Sequence, residues 1–181
     1  MRIISGKFKN KRLVAPPGET VRPTSDRARQ ALFDMLWHAP WAGREVVDGA
    51  TVLDAFAGTG ALGLEALSRD AARATFIEKD RTALVALRAN IAACKVEAQV
   101  IAGDATKPPR PIHPATLVFL DPPYGSGLLA PALEALDKAG WIAPGAIICT
   151  ELGLREPLPE TRFTTLDDRT HGKARLLILQ G

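Results

Sequence analysis

The sequence predicts a doubly wound α/β fold carrying a small N-terminal hairpin-and-helix extension. Three observations predict it. From residue 51 onward, strand-length apolar runs alternate with helical patterns in the order βαβαβ, followed by further βα units. A glycine-rich turn, Gly58-Thr59-Gly60-Ala61-Leu62-Gly63, joins the first strand of that series to its first helix. Leu117-Val118-Phe119-Leu120 is a continuous apolar run, the pattern of a central strand covered on both faces.

The elements follow in order. Residues 2–14 predict a short hairpin, with Ile3-Ile4 and Leu13-Val14 flanking a polar turn around Gly6 and Asn10. Ala15-Pro16-Pro17-Gly18 breaks the chain. Thr24 or Ser25 then suits the N-cap of a helix whose Ala28, Ala31, Leu32, Met35 and Leu36 share one face, with Arg27, Arg29 and Gln30 off it. Pro40 and Gly43 end that helix. Trp37 and Trp41 near its end pack it against the body or stack on a ligand, and packing is the simpler role.

Strands are predicted at 51–56, 74–78, 98–102, 117–120 and 146–150, with helices at 61–69, from Asp80 as cap, and at 127–139. Two final strands, 163–167 and 175–179, meet at a turn at His171-Gly172; with no helix between them they pair antiparallel. The chain divides into an extension over 1–43 and an α/β domain over 44–181. Lys107-Pro108-Pro109-Arg110-Pro111 predicts a rigid surface loop.

Composition narrows the function classes. No apolar run approaches the roughly 20 residues that span a bilayer, and residues 1–7 lack the apolar core of a signal peptide. A cytoplasmic protein is expected, and nothing demands more than a monomer. Cys94 and Cys149 lie far apart and predict small core residues rather than a disulfide. His38, His113 and His171 are scattered, so no metal site is expected.

The net charge of +3 hides an asymmetry. Residues 1–30 hold Arg2, Lys7, Lys9, Lys11, Arg12, Arg22, Arg27 and Arg29 against Glu19 and Asp26, a local +6 that leaves −3 for the rest. A basic arm on a slightly acidic body fits a polyanion partner; a solvated tail is the plainer alternative.

Two turns carry the chemistry. Gly58, Gly60 and Gly63 give a literal G-x-G-x-x-G between strand and helix, where glycines let backbone approach a ligand. Glu78, near the end of the next strand, suits a ribose diol, which fits NAD and S-adenosyl-L-methionine alike. Asp54 tilts the choice: a carboxylate at the first strand end repels pyrophosphate and suits an ammonium. Asp104, ending the third strand, is placed to accept from an adenine amino group. The second turn is Asp121-Pro122-Pro123-Tyr124. Proline stiffens it and removes backbone donors, leaving the Asp121 carboxylate and the Pro122 carbonyl as acceptors. An exocyclic amino group on a base needs such acceptors, because its lone pair is delocalised into the ring. Tyr124 would stack on a base turned out of its helix.

With these motifs the chain resembles class I S-adenosylmethionine-dependent methyltransferases that methylate amino groups. More narrowly, it resembles the bacterial 16S ribosomal RNA (guanine-N2)-methyltransferases. The resemblance rests on Arg2-Ile3-Ile4, Gly6-Lys7-Phe8, Arg22-Pro23-Thr24-Ser25-Asp26-Arg27, Ala31-Leu32-Phe33, Asp54 to Arg69, Glu78-Lys79-Asp80 and Asp121 to Tyr124. It implies a seven-stranded Rossmann-like sheet with an antiparallel strand among the last. It implies S-adenosyl-L-methionine held at Asp54, Phe56, Ala57, Gly58, Thr59, Gly60, Glu78, Lys79, Asp104 and Ala105. Catalysis falls to Asp121, Pro122, Pro123 and Tyr124. RNA of the small ribosomal subunit falls to Arg2, Lys7, Lys9, Lys11, Arg12, Arg22, Arg27 and Arg29. One departure is His171-Gly172-Lys173-Ala174, where the family pattern has Tyr-Gly-x-Thr. Three alternatives stand beside this reading: N6-adenine methylation of DNA or RNA, an NAD-dependent oxidoreductase, and a non-catalytic RNA-binding module.

Overall fold

The computed structural model describes residues 1–16, 26–171 and 174–181. The expected cap at Thr24 or Ser25, the break at Pro17-Gly18, Arg22, and the Gly172-Lys173 part of the last turn lie outside the described residues.

One sheet of seven strands organises the chain: β1 (Thr51–Ala55), β2 (Arg73–Glu78), β3 (Gln99–Ala102), β4 (Ala115–Leu120), β5 (Ile142–Gly153), β6 (Thr164–His171) and β7 (Ala174–Gln180). The spatial order is β3-β2-β1-β4-β5-β7-β6. The first five strands run parallel. β7 is antiparallel to β6, as the paired terminal strands predict, and also to β5, and it lies between the two.

The chain winds outward from β1 to β3, returns to β4 beside β1, and winds the other way. Right-handed crossovers therefore place helices on both faces. On one face α1 (Asp26–His38), α2 (Ala61–Ser68) and α3 (Arg81–Cys94) bury Leu32, Phe33, Leu64 and Leu87 against Val52, Phe76, Leu117, Phe119 and Cys149. On the other, α4 (Leu129–Ala139) buries Leu133 and Leu136 against Leu53, Val118, Leu120 and Ile148. Both cysteines are buried and free. The β1–β4 junction, where strand order reverses, opens a crevice at the carboxyl ends of the strands.

Small boundary differences have local causes. β5 begins at Ile142, before Pro144-Gly145, which the sequence placed outside the strand; a register shift between Ala115 and Leu117 accommodates the extra length. Asp80 caps α3 as expected, accepting from the Ala83 amide at 2.8 Å.

The N-terminal segment is a hairpin of minimal size: a single antiparallel bridge, Arg2 to Arg12, closes around a 3-10 turn at Gly6–Phe8. Three buried polar side chains of the α/β body hold it. Glu65 accepts from the amides of Ile4 (2.8 Å) and Ser5 (3.0 Å), and from Arg69 Nε (2.9 Å). Ser68 Oγ accepts from the Phe8 amide and donates to the Ser5 carbonyl. Asn90 accepts from the Val14 amide at 2.7 Å and donates to the carbonyls of Val14 and Thr59. Ile3 and Leu13 join the same core as α1 and α2. The Arg69 guanidinium lies over the rings of Phe33 and Trp37, so Trp37 packs the helix end as expected.

Candidate active site at the carboxyl edge of the sheet

The two motifs stand side by side because their strands do. β1 pairs with β4, Ala55 opposite Leu120, so the glycine turn after β1 and the Asp121 turn after β4 leave the sheet as neighbours.

Asp54 sits one residue before the end of β1, only 1% exposed. One carboxylate oxygen accepts from the Gly63 amide at 2.9 Å, bracing the start of α2. Burial pushes its pKa up to about 8, opposed by the Gly63 bond and reinforced by the nearby Asp121 and Glu78 charges. Phe56 turns the chain with φ 63°, Ala57 is buried, and the Ala57 amide donates to the Ile77 carbonyl. Gly58 has φ 54°, and a Cβ there would meet nothing within 4 Å. Its positive φ favours glycine, and the space over it is open. Gly63 differs: a Cβ would lie 2.4 Å from the Phe76 ring, so this glycine serves close helix–sheet packing. Thr59 is half-buried, its hydroxyl facing the Met1 sulfur and its carbonyl held by Asn90.

Glu78 ends β2, and its carboxylate accepts from the amides of Gly58 (2.7 Å), Lys79 (2.8 Å) and Asp80 (2.7 Å). These bonds tie it to the floor of the glycine turn. Asp104 lies two residues past β3. One oxygen accepts from the Thr106 amide and hydroxyl, which hold its pKa below the usual carboxylate range. The other faces Lys79 Nζ at 3.7 Å, and Ala105 beside it is buried.

This set of acceptors fits S-adenosyl-L-methionine better than a pyrophosphate cofactor. Three carboxylates flank the crevice, the floor above Gly58 is open, and Asp54 occupies the strand end a pyrophosphate would approach.

Across the crevice Asp121 is half-buried, Pro122 buried, and Pro123 and Tyr124 exposed. The turn is tethered rather than loose. The Ser126 amide donates to the Pro123 carbonyl, and the Gly125 amide donates to Glu156. Glu156 also accepts from the Gly153 amide, and the Tyr124 hydroxyl donates to Glu151 on β5. A cavity of about 550 Å³ opens beside Asp121, walled by Met35 and His38 of α1 and by Phe119, Cys149, Glu151 and Thr170 of the sheet.

The sequence-predicted arm residues divide. Lys9, Lys11, Arg12 and Arg27 are exposed. Arg2 faces Asp26 at 3.7 Å and Lys7 pairs with Asp70 at 2.7 Å, both on the surface. Arg29 departs from expectation. It is fully buried, donating to the Arg2 carbonyl and to Asp26 Oδ1, so it props the hairpin on α1 instead of facing solvent. Its place off the apolar face made it look exposed, but the docked hairpin covers that side.

Residues 1–180 match the family described as "Conserved hypothetical protein 95". Ribosomal RNA small subunit methyltransferase D of Escherichia coli (strain K12) is 42% identical over 161 residues, covering 88% of this chain and 78% of that one. The protein of the same name from Haemophilus influenzae is 36% identical over 180 residues, covering 95% and 89%. The chain belongs to the ribosomal RNA small subunit methyltransferase D family. The solved structure of Escherichia coli yhhF superposes with a TM-score of 0.83 at 36% identity, covering 99% of this chain and 97% of that one. An RNA methyltransferase from Salinibacter ruber in complex with S-adenosyl-L-homocysteine shares the fold at 16% identity, with a TM-score of 0.66 over 87% of this chain and 92% of that one. Membership makes the chain an S-adenosyl-L-methionine-dependent methyltransferase of the class I, Rossmann-like fold, and sets aside the oxidoreductase and the non-catalytic module.

Among the described residues, no helix is long and apolar enough to cross a membrane, and no group of three or more His, Cys, Asp and Glu is placed to hold a metal. Sequence reasoning missed Glu65, Ser68 and Asn90, whose partners are backbone atoms of a distant segment. It also missed Glu151, which a simple rule could have found: it follows the predicted 146–150 strand just as Asp121 follows 117–120.

Proposed function

We propose that this protein transfers the methyl group of S-adenosyl-L-methionine to the exocyclic N2 of a guanine in the 16S RNA of the small ribosomal subunit. The observation that supports it most strongly is the adjacency of the acidic glycine-turn crevice and the tethered Asp121 turn, in a chain of this family.

S-adenosyl-L-methionine supplies an electrophilic methyl group on a sulfonium. Asp54 would receive its ammonium, Glu78 its ribose hydroxyls and Asp104 its adenine amino group, with Phe56 to Gly60, Lys79 and Ala105 lining the crevice. Asp121 and the Pro122 carbonyl accept the two N2–H hydrogens. That would hold the nitrogen lone pair out of the ring system and facing the crevice, so positioning would supply much of the rate. Asp121, directly or through water, would take the one N2 proton that methylation releases. Tyr124, half-exposed and hydrogen-bonded to Glu151, stacks on the flipped base. Lys9, Lys11, Arg12 and Arg27, with Arg2 and Lys7, contact RNA phosphates. Arg22 is proposed for the same surface on the resemblance alone. Residues 1–43 act as the RNA-docking extension and 44–181 as the methyltransferase domain. The protein works as a cytoplasmic monomer.

The test is Asp121→Ala. Labelled methyl transfer to small-subunit RNA should fall by at least about 1,000-fold, the scale of lost positioning plus acid–base assistance. Cofactor binding by calorimetry should stay within about threefold of wild type. Retained transfer would refute the assignment.

A further inference from the structure

Asp121 is not the lone carboxylate at the target end of the crevice. The β4–β5 register pairs Phe119 with Cys149 and Leu120 with Thr150, so Asp121, the residue just after β4, comes next beside Glu151 of β5. Phe119 and Cys149 face the α1 side. Side chains alternate along a strand, which brings Asp121 and Glu151, two residues on, to that same face. Both line the 550 Å³ cavity, a volume within the range of small-ligand sites. Glu151 also accepts the Tyr124 hydroxyl, so the ring expected to stack on a base and the second carboxylate form one unit.

A guanine presents three donor hydrogens along its Watson–Crick edge, one on N1 and two on N2. Adenine presents a bare N1 lone pair beside its amino group. Two neighbouring carboxylates match the first edge and repel the second. We propose that Glu151 is a specificity residue that accepts the guanine N1–H while Asp121 accepts from N2, so that the enzyme tells guanine from bases whose N1 carries no hydrogen. This rests on the guanine-N2 reading above.

The test uses small subunits reconstituted on ligated 16S RNA. The nucleotide that wild-type enzyme labels is either guanine or 2,6-diaminopurine, which keeps the N2 amino group and lacks N1–H. Wild type should prefer guanine by about 10- to 100-fold in kcat/KM, the scale of one hydrogen bond to a charged acceptor. Glu151→Gln can donate to a bare N1, so its preference should shrink to within about threefold. The change at ring position 6 is common to both enzymes and cancels in the comparison. Tyr124→Phe, which frees the carboxylate from the phenol, should slow both substrates equally and keep the wild-type preference. An undiminished preference in Glu151→Gln, or a preference lost equally in Tyr124→Phe, overturns the inference alone. Wild-type product without N2-methylguanosine overturns the parent reading and this inference with it, and the nucleoside analysis distinguishes the two failures.

Discussion

Replacing Asp54 with Asn tests both the electrostatics of the crevice and the role given to its deepest carboxylate. In the folded protein the Asp54 pKa stands at about 8, against an ordinary 3.8, because burial disfavours the charged form. Between those values the folded chain holds a proton that the unfolded chain has released. The stabilisation is full below pH 3.8 and is lost as pH rises toward 8, at up to about 1.4 kcal/mol per pH unit from this one group. Asn keeps an acceptor for the Gly63 amide and removes the titration. Urea unfolding of both proteins from pH 5 to 9 should show the variant gaining on wild type by about 1.4 kcal/mol per unit, flattening above pH 8. S-adenosyl-L-methionine, whose ammonium would draw Asp54 into a charged form that Asn cannot adopt, should bind the same variant at least about 10-fold more weakly at pH 8. A stability difference that stays flat from pH 5 to 8 would mean that Asp54 is already ionised in the folded protein and would refute the reasoning.

Other outcomes follow from the same geometry. Neutralising Lys9, Lys11 and Arg12 to Gln together should lower the slope of log affinity for small-subunit RNA against log salt by about 2, read by filter binding from 50 to 300 mM salt. An unchanged slope would make the arm a solvated surface. Glu65→Ala strips the buried Arg69 of its partner and the Ile4 and Ser5 amides of their acceptor, and should cost about 3–5 kcal/mol in urea unfolding. Arg29→Ala should likewise destabilise, measurably more than Arg27→Ala, because only the first side chain is buried.

Sequence alone made the catalytic edge legible because its signals are local. A strand period of two, a helical period near 3.6 and turn residues at fixed spacing place Asp54, Glu78, Asp104 and Asp121 at strand ends without any knowledge of packing. What the sequence hid depends on segments that meet only in three dimensions. Arg29 looked solvent-facing on its own helix and became buried because Arg2 and its hairpin lie across it. Glu65 is a charged residue within α2, and it is fully buried because two backbone amides about 60 residues away need an acceptor. The cavity beside Asp121 exists because α1, an element outside the alternating β/α series, packs over β4 and β5. Glu151 gains meaning only once the register sets it next to Asp121.

The central claim is the base and atom that receive the methyl group. Small ribosomal subunits lacking the modification, incubated with the protein and labelled S-adenosyl-L-methionine, then digested to nucleosides, test it most directly. N2-methylguanosine carrying the label is the predicted result. Label in N6-methyladenosine, or in no RNA nucleoside while the cofactor binds, would contradict it.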